Sequence, residues 1–261
     1  MLILYIPIFF IAASVFANNE IYITQVGTSN NFTLDITQDG DDNVVQLSVS
    51  HDNNTIDIDQ EGNNNTVSWV SYWGSGQNWG GDLDGSGNTL KFEQFNTTGT
   101  DANRIGFHIN TNDNTVHVCQ GKTFDNSSDT TCESTTTSEY GGHTVNIDLH
   151  SGDTNLKGSQ ETGTGNADHE ARVYTYGGEN NDIFFKQSGN GDKFLQLIVR
   201  TDNGEQEVIQ AGNGDHTATI DLTGSYTTDL SLTQNSGTNQ SYTLTNNCQT
   251  SSGCSVTVTQ N

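Results

Sequence analysis

Nine glutamines recur at one phase of a short alternating pattern: Gln38, Gln60, Gln94, Gln120, Gln160, Gln187, Gln210, Gln234 and Gln260. A primary amide donates and accepts at once, so identical amides stacked one above another satisfy each other even in a dry interior. A second polar series opens the runs that follow: Asn43, Asn65, Asn103, His143, His169, Lys193, His216 and Gln240. The chemistry these two series offer is stacking.

Other groups offer different chemistry. Four cysteines fall in two local pairs, Cys119 with Cys132 and Cys248 with Cys254, and in a secreted chain such pairs read as disulfides. Metal ligation is the alternative, disfavoured because no Cys-x-x-Cys occurs and no His stands at ligand spacing. Asp82-Leu83-Asp84-Gly85-Ser86-Gly87-Asn88, followed by Glu93, meets the spacing of an EF-hand loop. Its flank is a strand, with Glu93 between Phe92 and Gln94. The expected reading is therefore an acidic glycine-rich turn, with only a weak calcium site at Asp82 and Asp84. The turn from Asp39 to Asp42 is a weaker candidate of the same kind. An insertion at 70–88 and its border carry Trp69, Tyr72, Trp73 and Trp79. These aromatics could stack on sugars, pack fibres side by side, or fold back on their own scaffold.

Catalysis finds no constellation. His51, His108, His117, His143, His150, His169 and His216 are scattered by repeat position, and no nucleophile elbow or phosphate-cradling loop appears. The chain is not expected to be an enzyme, and no cofactor is expected beyond weak calcium.

The elements that must position these groups are short strands. In Thr55-Ile56-Asp57-Ile58-Asp59-Gln60 the alternation puts Ile56, Ile58 and Gln60 on one face and the aspartates on the other. Thr89–Gln94, Asp182–Gln187 and Asp229–Gln234 repeat the form. A polar turn such as Glu61-Gly62-Asn63-Asn64-Asn65 follows, then a returning run such as Val45/Leu47/Val49, Val67/Trp69, Ile105/Phe107/Ile109, Val145/Ile147/Leu149, Leu195/Leu197/Val199 or Ala218/Ile220/Leu222. Successive glutamines lie 22, 34, 26, 40, 27, 23, 24 and 26 residues apart, so one unit is two strands and two turns, with insertions at 70–88 and 121–142. The expected fold is all-β: a flattened solenoid of two strands per coil and about nine coils, each rising by about 4.8 Å. The second insertion is expected to be a surface loop.

Composition agrees. Hydrophobic residues make up 31%, too few for a thick core but enough for a thin one served by many short strands. Pro7 is the single proline, so every later backbone N–H is free to join a ladder. The net charge of −24 argues against nucleic acid as a partner and favours cations or further copies of the chain. Residues 1–17 read as a signal peptide cut before Asn18, with a short membrane anchor as the alternative.

The pattern Gln-x-Gly-x-x-Asn-x-φ-x-φ, seen in Gln60-Glu61-Gly62-Asn63-Asn64-Asn65-Thr66-Val67-Ser68-Trp69, resembles the curlin repeat of bacterial curli subunits. Gln38-Asp39-Gly40-Asp41-Asp42-Asn43 and Gln210-Ala211-Gly212-Asn213 match it too. The similarity covers residues 20–261 imperfectly and is best at 25–70 and 183–261. Four cysteines, long insertions, excess acid and a higher coil number depart from that family. The resemblance implies export through the outer membrane, with secretion and nucleation partners there, and assembly into an amyloid-like surface fibre that supports attachment or a biofilm matrix. In that setting Ile21, Ile23 and Gln25 at one end and Val256, Val258 and Gln260 at the other are the expected polymer interface, joined head to tail in one composite coil. The alternative is a monomeric cell-surface adhesin or carbohydrate-binding solenoid that uses the aromatic loop on surface glycans.

Overall fold

The computed structural model describes residues 19–26, 31–50, 52–68, 81–95, 101–110, 112–124, 126–133, 142–149, 152–161, 169–175, 181–200, 204–223, 226–235 and 237–261. Among these the regular structure is all β, and the strand ladders are parallel. One sheet stacks Glu20–Ile21, Val44–Val45, Thr66–Val67, Arg104–Ile105 and Thr144–Val145. The other stacks Thr33–Leu34, Thr55–Ile56, Thr89–Gln94, Thr115–Gln120, Asn155–Gln160 and Asp182–Phe184. Bridges Thr144↔Glu170, Asp182↔Glu205 and Ala211↔Asn235 carry parallel pairing onward. Near the C-terminus Lys193–Phe194, His216–Thr217 and Gln240–Ser241 form a third stack, and Thr228–Gln234 pairs with Cys254–Gln260.

The register follows the glutamines. Thr33 pairs with Thr55, Thr55 with Thr89, Thr89 with Thr115, and Thr115 with Asn155, so each Gln stands beside the next. Parallel strands need a long connection between levels, and here the returning run with its two turns supplies it.

The core is a continuous column of alternating residues from both stacks. Ile56, Ile58, Leu90, Phe92, Val118, Leu156, Phe185, Leu230 and Leu232 face Val45, Val49, Ile105, Phe107, Val145, Leu195, Leu197 and Ile220, each at most 1% exposed. Phe92 and Phe107 touch across the interior with ring centroids 5.5 Å apart. One level is tuned by size. Gly158 pairs with Val118 at an inward position, and a Cβ there would lie 2.0 Å from the Phe185 ring, which fills its space. In the turns, Gly62, Gly189 and Gly212 each follow a ladder glutamine by two residues at φ of 85°, 82° and 93°, a conformation costly for other residues.

Two expectations are corrected. The returning runs bury their alternating residues as the pattern demands, but ladder pairing covers only their first two residues at most levels. Beyond these the backbone turns left-handed, as at Ile147 (φ 47°) and Ile198 (φ 40°). The insertion after Gln120 is not wholly a surface loop, because Thr123 and Phe124 are buried and a two-way bridge between Thr123 and Glu133 folds it onto the sheet. Residues 1–17 and the aromatic insertion's Trp69, Tyr72, Trp73 and Trp79 lie outside the described residues.

Candidate functional site

The ladder glutamines Gln60, Gln94, Gln120, Gln160, Gln187, Gln210 and Gln234 are fully enclosed. Gln60 Nε2 donates to Gln38 Oε1 at 2.5 Å and Gln94 Nε2 to Gln60 Oε1 at 2.6 Å. Gln120 Nε2 donates to Gln160 Oε1 at 3.1 Å, Gln210 to Gln187 at 2.8 Å and Gln234 to Gln260 at 2.7 Å. Four of the amides also donate across the core. Gln60 donates to Val44 O (3.3 Å), Gln120 to Arg104 O (3.3 Å), Gln187 to Glu170 O (3.4 Å) and Gln210 to Phe194 O (2.9 Å). One side chain thus ties neighbouring levels together and links the two strands of its own level. The donor direction reverses after Gln94, so Oε1 of Gln94 and Oε1 of Gln120 accept nothing.

The second series is also buried from Asn43 to His216, while Gln240 is half-buried. Asn43 Oδ1 accepts from Asn65 N at 2.9 Å, while Asn43 Nδ2 donates to Gly62 O at 2.6 Å and so fixes the turn above. A third column escaped sequence reasoning: Asn54 Oδ1 accepts from Asn88 N at 3.0 Å, Asn88 Oδ1 from Asn114 N at 2.9 Å, and Asn114 Oδ1 from Thr154 N at 3.1 Å. Its signal was available, since each member directly precedes the Thr or Asn that opens a glutamine strand.

From His143 onward the second series changes character. His143 and His169 stack with ring centroids 5.0 Å apart, and Lys193 and His216 follow, all enclosed. Burial, with His143 and Lys193 nearby, pushes His169 well below the ordinary imidazole range. Burial also lowers His216, and it lowers Lys193 to about 8 against the opposing pull of Asp215 and Asp192. Lys193 Nζ donates to Asn190 O and Gly214 O, both at 3.1 Å.

The apolar column loses its cover at both ends. Ile23, Phe32, Leu34 and Ile36 at one end, and Tyr242, Leu244, Val256 and Val258 at the other, pack on the core yet stay half-buried. Among the described residues, Cys254–Gln260 is paired along one edge only, with Thr228–Gln234. Of the expected interface residues, Ile21, Ile23, Val256, Val258 and Gln260 are half-buried. Gln25 belongs to Thr24–Val26, which pairs with Ser48–Ser50.

Both disulfides are formed, with Cα–Cα distances of 6.0 Å for Cys119–Cys132 and 5.7 Å for Cys248–Cys254. The expectation that no His stands at ligand spacing to the cysteines is corrected. Residues two apart on a strand share a face, so His117 lies beside Cys119, and Glu93 pairs with Cys119 from the neighbouring strand. His117 Nε2 is 2.8 Å from Glu93 Oε1, 3.4 Å from Cys132 Sγ and 4.0 Å from Cys119 Sγ. The Phe124 ring meets the imidazole edge-on with centroids 4.7 Å apart. Lys91 bonds Glu93 on its other side and lies 3.8 and 3.7 Å from Asp57 and Asp59. Burial alone would push the Glu93 carboxyl up, but hydrogen bonds from His117 and Lys91 outweigh it and hold the group below its ordinary value.

Asp82 and Asp84 are engaged with protein groups. Asp82 Oδ2 is 3.5 Å from His108 Nδ1, and Asp84 Oδ1 accepts from Ser50 at 2.5 Å. Burial, then the neighbouring Asp84 charge, raises the Asp82 carboxyl. Glu93, the last position of the EF-hand spacing, is occupied with His117 and Lys91 instead.

No family model, curated protein or solved structure matches this chain.

Proposed function

We propose that this chain is a secreted structural subunit whose copies join end to end in an extracellular, curli-like fibre, and that it is not an enzyme. In this reading the fold is a flattened β-solenoid of about nine coils, two strands to a coil, and the nine ladder glutamines mark the levels. One observation carries the proposal. The apolar column runs to both ends, stays half-covered there, and stops at a seven-residue strand with one edge unpaired among the described residues. A bare edge of that length invites another strand. The C-terminal Gln260 would then extend the ladder into the first level of the next copy, a head-to-tail contact that does not close on itself. The acidic surface keeps copies apart laterally and leaves the ends as the favoured contact. The partners are further copies of the chain and the secretion and nucleation machinery of the cell envelope.

Electron microscopy of purified residues 18–261, with and without calcium, tests the reading. Filaments one chain wide, with a fibre reflection near about 4.8 Å along their axis, are expected. Deleting Ser255 to Asn261 should leave the monomer's β-signal and remove the filaments. Stable monomers at every concentration, or filaments unchanged by the deletion, would overturn it.

A further inference from the structure

We propose that reduction of the Cys119–Cys132 disulfide turns the cluster over the outer face of the second sheet into a Zn²⁺ site, ligated by Glu93, His117, Cys119 and Cys132. One ligand atom from each of the four lies within 4.8 Å of every other. A tetrahedral zinc site with two sulfurs, one nitrogen and one oxygen needs its donors roughly 3.2 to 3.8 Å apart. Imidazole and thiolate are the donors that favour zinc over calcium or magnesium.

The scaffold holds most of this set in place already. Glu93, His117 and Cys119 sit on two paired strands, so their spacing is fixed by the ladder. Phe124 holds the ring of His117 in orientation. Cys132 comes from the folded-back insertion, which Lys157 pins by donating to Ser127 O at 2.6 Å and Asp129 O at 2.8 Å. Glu93, His117 and Cys119 are shielded from water, while Cys132 is partly exposed and leaves a way in. Separating the two sulfurs to ligand distance moves the Cys132 loop by roughly 2 Å. Lys91 releases Glu93 to the metal and retains Asp57 and Asp59 as partners.

The redox step balances. Two equivalents of a small thiol deliver two electrons and two protons to the disulfide, giving two cysteine thiols and one small-molecule disulfide. Zn²⁺ then replaces the two thiol protons, which leave to solvent. Oxidation reverses the sequence and ejects the metal. The same residues thus form a covalent clasp under oxidising conditions and a zinc site under reducing ones. This inference does not depend on fibre formation.

The test uses the full chain carrying Cys248→Ser and Cys254→Ser, which leaves one pair of thiols. The protein is reduced with dithiothreitol, desalted without oxygen and titrated with Co²⁺. One Co²⁺ per chain is expected, with thiolate-to-cobalt charge-transfer bands and tetrahedral d–d bands that Zn²⁺ abolishes. His117→Ala and Glu93→Gln should each weaken binding by at least roughly ten-fold, the lower bound of what losing even an outer-shell partner of a metal ligand costs. The oxidised protein should show no bands. Absent or non-stoichiometric binding, affinity unchanged in His117→Ala, or loss of the β circular-dichroism signal on reduction would each overturn the proposal.

Discussion

The side-chain amide of Gln94 donates to the side-chain oxygen of Gln60 at 2.6 Å, across a separation of 34 residues. The next bond down, from Gln60 to Gln38, spans 22. Gln60 therefore sits between two buried amides and also holds Val44 O. Replacing it by Ala strands polar atoms on both neighbours. An expected loss of about 2–4 kcal/mol follows from burying unsatisfied groups and leaving a cavity. A urea denaturation midpoint checks this, and an unchanged midpoint would deny the ladder any energetic role.

Gly158 and Phe185 should behave as one volume. Gly158→Val drives a branched side chain into the Phe185 ring, which a Cβ would already meet at 2.0 Å. The change should cost about 3 kcal/mol by overpacking. Adding Phe185→Ala should recover part of that, so the double-mutant cycle should show coupling of about 1 kcal/mol or more. Additive losses would count against the interlock.

The histidine column makes stability depend on pH. His169 and His216 are held below their ordinary value, so near and below pH about 6.5 the unfolded chain binds more protons than the folded one. Stability from this source is therefore present above that pH and falls as the solution is acidified. His143 and Lys193 face the His169 ring, and Lys193 and Asp215 face that of His216. The wild type should lose more stability than His169→Gln between pH 7 and 5, read as the difference of two denaturation curves. Parallel curves would show that His169 does not contribute.

Lys193 should act in the opposite window. Its ammonium is enclosed and its pKa lies at about 8 instead of 10.5. The folded chain gives up that proton before the unfolded chain does, so stability should rise as pH climbs from about 8 towards 10.5. Lys193→Met should flatten this rise and raise the midpoint at pH 7. A lower midpoint would mean that the bonds to Asn190 O and Gly214 O outweigh the cost of the buried charge.

Charge on the bare edge should separate folding from assembly. Val256→Lys with Val258→Lys places two cations on inward positions that are only half-buried in the single chain. The monomer should keep its β-signal, elongation should stop, and small amounts should cap growing wild-type filaments. Seeded light scattering reads this out, and undiminished growth would locate the contact elsewhere.

Much of the fold was legible because its period is written in one residue type. Gln38 to Gln260 give the register, and alternation around Ile56, Phe92 and Leu230 gives the inward face. What escaped depends on comparing levels. Aligning Gln94 with Gln120 also sets Glu93 beside Cys119, yet His117 looks unremarkable along the chain because its partner is 24 residues away. The Asn54, Asn88 and Asn114 column was hidden by the abundance of asparagine in the turns. Burial of Phe124 was invisible because the Ser/Thr-rich insertion around it carries no strand period.

Ladder bonds span 22, 34, 40, 23 and 26 residues while the amides remain in contact. Vertical alignment is therefore indifferent to the length of chain between levels. A peptide of a dozen residues spliced into a turn would be carried outside the stack without shifting it. A polymer of such chains would be a display lattice, repeating any grafted epitope once per subunit.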